Sequence, residues 1–452
     1  MNQSITMREK ISYGIGAIGK DIVYMFVSGY ILYYYNTVLG ISSTFTGVMM
    51  MVARVLDALN DPLMGVVVEK TKTKFGKFRP WIFSGSLINA FVIYGMFAMP
   101  ESLSGTAVLV YASVMYILWG TTYTLMDIPF WSMIPAITRA GKERESLSVI
   151  GRTCASIGGA IPTIGTMLLV TRFAGGEREG FRVIALWVAI AFVIAEAVCV
   201  MGLKEQPTEK QEVPSVKEMM DALFSNDQAL VVAVSIVLFN ASLYLTSQLA
   251  LYFFKYDIGN TDLQGVFAML GGGAQMLSMV CLPLLRKKWN TMDILVGSMG
   301  ITMVGYAALF IMATLSVKSI PLLAATAFII YIGFGCATVL TTIFLADSVD
   351  YGEWKNGKRN ESVIFSMQTF VVQLASAFSV LIAGVGIDLI GLDINASVQT
   401  TQTLFGLRFM MAGIPVVGLI ASLIYFKKHY ILTEEKNAEI AADLASRKVG
   451  IQ

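Results

Sequence analysis

Long apolar runs alternate with short polar stretches along the whole chain. The runs fall near 12–38, 44–68, 80–99, 106–136, 148–171, 181–203, 228–254, 262–284, 291–314, 319–346, 362–390 and 402–427. Each is close to or longer than the roughly 20 residues that a helix needs to cross a bilayer core. The pattern predicts an all-α integral membrane protein of twelve transmembrane helices. A polar stretch from Lys204 to Asp227, with Pro207 and Pro214, interrupts the series near its middle. It reads as a cytoplasmic linker, 204–227, between two six-helix bundles at 1–203 and 228–427. A charged tail, 428–452, follows the last run.

Composition agrees with a lipid solvent: 56% of the 452 residues are hydrophobic and 14% are charged, too few charges to cover a soluble globule of this length. The net charge of +2 carries less meaning than its distribution. Basic residues crowd alternate loops, at Lys70 to Arg79, Arg139 to Arg144, Arg286 to Lys288 and Lys355 to Arg359, whereas Pro100 to Gly105 and Gly391 to Ser397 lack them. The positive-inside tendency makes the basic loops cytoplasmic and, with an even helix count, both termini too. The mixed-charge segment Arg172 to Arg182 is expected as an outside loop. The four cysteines, Cys154, Cys199, Cys281 and Cys336, lie in apolar runs without CxxC spacing and read as packed thiols. His429, the single histidine, lies past the last run, which leaves no basis for histidine catalysis or a histidine metal centre. No cleavable leader pattern precedes the first run, and no basic segment interleaved with aromatics points to nucleic acid.

Charged residues inside the runs carry the candidate chemistry. Lys20 and Asp21 fall in the first, Arg54, Asp57 and Asp61 in the second, Asp127 in the fourth and Arg152 in the fifth. A charge at mid-bilayer costs about 2.5–3.5 kcal/mol even on insertion scales. These seven are therefore expected to face a hydrated cavity and to pair with one another. Asp57, Asn60 and Asp61 sit at i, i+3 and i+4 on one helix face, and Thr124 and Asp127 at i and i+3. Two carboxylates, an amide and a hydroxyl suit a hard monovalent cation. Trp131, one turn past Asp127, offers an aromatic face beside a carboxylate, an arrangement that suits a sugar, although plain packing or interfacial anchoring would equally place a tryptophan there. Three cations against four anions leave one negative charge in excess, which a bound Na+, Li+ or H+ would cancel. An empty cavity would then resist closure and a loaded one permit it. The second half has no such cluster, and offers Thr338, Thr341, Thr342, Gln368, Thr369 and Gln373 for hydroxyl contacts or for helix packing.

Two further patterns complete the picture. ERESLSVIGR (143–152) and RNESVIFSMQ (359–368) align Glu-Ser on Glu-Ser and put Arg152 and Gln368 at matching depth, as a duplicated six-helix unit would. Asp347, Asp350 and Glu353 end the tenth run beside Lys355, Lys358 and Arg359; with Arg144 they form a candidate cytoplasmic gate, or else a solvated rim.

On YGIGAIGKD (13–21), VARVLDALNDPLMG (52–65), GKFRPW (76–81), YILWGTTYTLMDIPFWSMIP (116–135), ADSVDYGEWK (346–355) and RNESVIFSMQTFVVQ (359–373), the chain resembles the glycoside–pentoside–hexuronide:cation symporter family of the major facilitator superfamily. The resemblance implies symport of a galactoside-type glycoside with Na+, Li+ or H+ by alternating access in a bacterial inner membrane. It implies a cation site at Asp57, Asn60, Asp61 and Thr124. It also implies sugar contacts at Lys20, Asp21, Asp127, Trp131, Arg152, Gln368 and Thr369, with Asp21 and Asp127 accepting and Lys20 and Arg152 donating. The chain departs from one member of that family at two positions, where Gln373 replaces a lysine and Thr338 a tryptophan. No cofactor is expected beyond the co-transported ion, and one bundle pair should work as a monomer. A membrane enzyme acting on lipid-linked sugars would need catalytic loops that these short basic loops do not offer. A sugar receptor on the same scaffold would need a longer signalling extension, and a lipid tail would not cross so polar a midplane.

Overall fold

A computed structural model describes residues 5–71, 73–138, 142–205, 221, 224–357, 361–396 and 398–449; within its helices the side chains at 58, 59, 62, 63, 66, 69, 135, 142, 145, 361–363, 365, 366, 369, 445 and 447–449 lie outside the description. The chain divides into two compact units, Met1–Val213 and Pro214–Gln452. Unit 1 contains α1 (Met7–Tyr33), α2 (Ser43–Lys70), α3 (Arg79–Phe97), α4 (Thr106–Ser132), the short α5 (Ile134–Ile137), α6 (Lys142–Val170) and α7 (Gly176–Gly202). Unit 2 contains α8 (Asp227–Tyr252), α9 (Asp262–Leu285), α10 (Thr291–Thr314), α11 (Ile320–Asn356), α12 (Glu361–Leu389), α13 (Thr401–Arg408), α14 (Ile414–His429) and α15 (Glu434–Val449). Single π-helical turns extend α1 at Tyr34–Val38 and α8 at Phe253–Ile258, and join α13 to α14 at Phe409–Gly413.

Among the described residues, eleven helices are long and apolar enough to cross a membrane. The 28-residue α2 is not one of them, because Arg54, Asp57, Asn60 and Asp61 interrupt its apolar run. Large apolar side chains lie bare on the outer surface, including Phe91 (72% exposed), Ile194 (59%) and Val280 (76%). Such a surface belongs in lipid, where every backbone N–H and C=O must be satisfied within its own segment and helices meet that condition.

Helix ends depart from the hydropathy reading where capping chemistry decides. α1 starts at Met7 rather than at 12, because Thr6 and Glu9 close a capping box. α11 runs to Asn356 rather than 346, because its stop is Gly357 in the left-handed region (φ 68°), so Asp347, Asp350, Glu353 and Lys355 are helical. The expected outside loop 172–182 is largely the start of α7, with Glu177 and Glu179 in its first turn, where the helix dipole favours them. Most of the polar stretch 204–227 lies outside the described residues, and the tail forms α15.

The glycines of YGIGAIGKD explain how α1 sits in unit 1. A Cβ on Gly16 would strike Cys199 and one on Gly19 would strike Ala195, both of α7, while Gly158 of α6 lies against the Ile18 backbone. Small residues let the three helices approach closely, the usual device for helix packing in lipid. That wedge fixes the turn carrying Lys20 and Asp21.

Candidate functional site

Lys20 is only 4% exposed, yet its charge is paired twice: its Nζ lies 2.9 Å from Asp21 Oδ2 and 2.8 Å from Asp127 Oδ1. The ammonium thus joins neighbouring residues of α1 to α4. It also lies 4.8 Å from the Trp131 ring centre, and the Arg152 guanidinium lies 4.6 Å from the same ring. Trp131 therefore gathers both expected donor cations by cation–π attraction. Pro129, inside α4, supplies no N–H to the Leu125 carbonyl, which loosens the helix between Asp127 and Trp131. Tyr13 stacks on Phe130 at 4.5 Å beside this group.

The second group lies between α2 and α4. Thr124 donates to Asp61 Oδ1 at 3.2 Å. Asp57 rests against Gly120, where any Cβ would collide with its carboxylate. Arg54 and Asp61 are the charged groups acting on Asp57. Arg54 itself is 7% exposed, donates to the Tyr24 hydroxyl at 3.1 Å, and lies over the Tyr24 and Trp119 rings. Asn60 shares the half-buried face of Asp57 and Asp61. The oxygen set expected for a hard cation is thus assembled by two helices, and α4 carries both groups, with Thr124 in one and Asp127 one turn along in the other.

In unit 2, Gln368 of α12 donates to Thr342 of α11 at 3.2 Å, while Thr338 spends its hydroxyl proton on the Phe334 carbonyl of its own helix. Gln373 is half-buried on α12, and the Thr369 side chain lies outside the described residues. Of the expected gate, Asp347 accepts from Tyr430 at 3.4 Å, and Asp350 and Glu353 are engaged by neighbours of their own. Arg144 is half-buried near the start of α6, and Arg359 lies outside the described residues.

Several functional neighbours escape the sequence reading. Tyr24 could have been found, since it stands at i+4 from Lys20 and i+3 from Asp21. Gly120 carries only the signal of a glycine within a helix. Glu205 gives no local signal at all: its carboxylate accepts from the backbone N–H groups of Lys77, Phe78 and Arg79, capping the first turn of α3 from far along the chain. Glu196, a lone acidic letter in an apolar run, is wholly buried, and Lys20, Asp21 and Asp127 are the charges that act on it.

The family described as MFS/sugar transport protein matches residues 12–433. Similar proteins include an uncharacterised symporter, YjmB, of Bacillus subtilis (strain 168), 30% identical over 97% of this chain and 95% of the relative. The raffinose carrier protein of Pediococcus pentosaceus is 27% identical over 96% of this chain and 71% of its own length. Among solved structures, a crystal structure of a mutant of the nucleoside transporter NupG superposes with a TM-score of 0.67 at 13% identity, over 92% of this chain and all of that one, a likeness of fold alone.

Proposed function

We infer the function from the family: the chain belongs to the MFS/sugar transport protein family, and is a sugar transporter of the symporter type and not an enzyme. From that premise we propose that it accumulates a galactoside-type glycoside with Na+, or Li+ or H+ in its place, by alternating access. The twelve spans would be the eleven apolar helices and α2, six on each side of a linker at 204–227. Both termini would face the cytoplasm of a bacterial inner membrane, and a single copy would suffice.

One observation carries the reading: α4 holds Thr124 on Asp61 and Asp127 on Lys20, so the cation set and the sugar set share one helix. A cation on Asp57, Asn60, Asp61 and Thr124 would offset the excess negative charge and settle α4 against α2. Asp127 would then be aimed for a sugar hydroxyl, with Asp21 accepting, Lys20 and Arg152 donating, and Trp131 packing on the ring. Gln368, Thr369, Gln373 and Thr338 would be the sugar contacts of unit 2. Arg144, Asp347, Asp350, Glu353 and Arg359 would form and break cytoplasmic contacts during the cycle. Gln373 and Thr338, where one member of the family carries a lysine and a tryptophan, support a second reading: another glycoside, a pentoside or a hexuronide, driven by protons.

The test is uptake of radiolabelled α- and β-galactosides into vesicles with and without a sodium gradient, in the native chain and in Asp61→Cys. Sodium-driven accumulation in the first and its loss in the second is the expected result. Drive by a proton gradient alone would keep the site and change the ion. No accumulation under either gradient would sink the glycoside reading.

A further inference from the structure

α7 carries one acidic residue deep in its apolar run. Glu196 is 0% exposed, and neither of its carboxyl oxygens has a hydrogen-bond partner. The seam that hides it is the α1–α7 contact at Gly16, Gly19, Ala195 and Cys199, which sets Glu196 beside the Lys20 turn. Lys20 and Asp21 of α1 and Asp127 of α4 are the charged groups that act on it. The nearest other titratable groups are Tyr13 of α1, Tyr123 of α4 and Cys199 on its own helix. α3 brings Arg79, which donates to the Val200 carbonyl, and Tyr94. α6 brings Arg152, which packs on Trp131, and Cys154, with Glu143 and Arg144 at its far end. Tyr34 and Tyr35, in the π turn after α1, commit their hydroxyls to the Phe97 and Ala112 carbonyls.

An ionised carboxylate without a partner in such a seam is costly, and a protonated one far less so. The triad of Lys20, Asp21 and Asp127 is already one negative charge in excess, so a third anion beside it would be opposed. That balance changes when Lys20 loses one of its carboxylates.

We propose that Glu196 is a proton-binding site linked to Lys20: it keeps its proton while Asp21 and Asp127 share the ammonium, and gives it up to cavity water when a glycoside draws those carboxylates away. The linkage rests on the sugar reading of the triad. Its sign is fixed: a ligand that expels a proton binds more tightly as pH rises, until Glu196 is already ionised.

Infrared difference spectroscopy of the purified full-length protein in lipid nanodiscs tests this without any sugar. The carbonyl stretch of a protonated carboxyl free of hydrogen bonds is assigned to Glu196 by its loss in Glu196→Gln, and is then titrated. Asp127→Asn, and independently Asp21→Asn, should lower the midpoint by about one pH unit, a tenfold loss of proton affinity. Absence of the band at neutral pH, or midpoints unmoved in both folded variants, overturns the proposal whatever uptake assays show. Saturating raffinose should then bleach the band in the native protein. A band that persists with raffinose bound overturns the link. If raffinose does not bind, that result falls on the glycoside reading, and the sugar-free titration still decides Glu196.

Discussion

Each unit buries an ion pair among its helices, and the two are built to opposite ends. In unit 2, Arg408 meets Asp257 through two parallel bonds, Nε to Oδ2 at 2.8 Å and a terminal nitrogen to Oδ1 at 2.6 Å. Both side chains are nearly closed to solvent, at 10% and 4% exposure. The guanidinium fork matches the carboxylate, so the pair is saturated. It joins the π turn that ends α8 to the residue before the π turn of α13–α14, and commits both carboxylate oxygens to the guanidinium. In unit 1, a single ammonium is shared by two carboxylates from two helices, and those carboxylates remain 21% and 29% exposed. Lysine is a point charge on a flexible stem, so it satisfies Asp21 and Asp127 only in part. A similar desolvation cost yields a lock in one unit and an open set of acceptors in the other.

Removing one partner from each pair separates them most sharply. Asp257→Ala leaves a buried guanidinium uncompensated, a loss of about 3–5 kcal/mol of stability. Thermal unfolding in detergent should show it, while the fraction that folds still accumulates glycoside. If uptake is lost and stability is not, the lock description is wrong. Asp127→Asn should reverse the pattern. With Asp21 still pairing Lys20 and Asp127 itself 29% exposed, the change should cost about 1 kcal/mol, whereas uptake falls about a hundredfold, since one acceptor and the aim of Lys20 go together. A variant that merely unfolds would make the triad structural.

A smaller change probes the proposed cation set without removing any oxygen. Gly120→Ala places a methyl group where the Asp57 carboxylate now rests. Asp57 must turn away from α4, and the sodium concentration for half-maximal uptake should rise about tenfold, equivalent to about 1.4 kcal/mol. Sugar preference should stay as it is, because Lys20, Asp127 and Trp131 are untouched. A shift in sugar preference with no change in sodium dependence would place Asp57 in the sugar set.

How much of this was legible in the sequence follows from range. The face formed by Asp57, Asn60 and Asp61 is local helical arithmetic, and the structure keeps it. The apolar periodicity likewise finds the helices, although α2 is so interrupted by its charges that hydropathy alone undervalues it. Pairings between helices are a different matter. That Lys20 chooses Asp21 and Asp127, that Arg54 turns to Tyr24 and Trp119, and that Glu205 caps α3 depend on which helices pack. Charge counting could require partners for the buried cations and could not select them. Helix ends at Met7 and Asn356 were set by a capping box and a left-handed glycine, both readable in the letters but overridden by hydropathy windows. Glu196 stands alone among apolar letters, and its burial follows from the glycines of α1 that pack against Ala195 and Cys199.

The smallest expected effect lies at the surface of unit 2, as far in character from either buried pair as the unit offers. Glu434, which opens α15, accepts from Arg286 and from the Thr291 backbone N–H, and Arg286 holds its carboxyl below the usual glutamate range. α15 also lays Asp443 on the Trp354 indole at 2.7 Å, so the tail is pinned at two points along α11 and the α9–α10 turn. A group whose folded-state value is depressed contributes stability above its ordinary value and loses it as pH falls through the lowered one. Tail docking should therefore be intact at neutral pH and weaken on the acid side of about pH 4.3. Because the pair is half exposed, screening keeps its share modest, and salt should weaken it further. Limited proteolysis in nanodiscs checks this: cleavage within 434–449 should rise on acidification and with Glu434→Gln, and both changes should leave glycoside uptake within about twofold of the native level. Cleavage that does not respond to either would assign the docking of α15 to Trp354 and Asp443 alone.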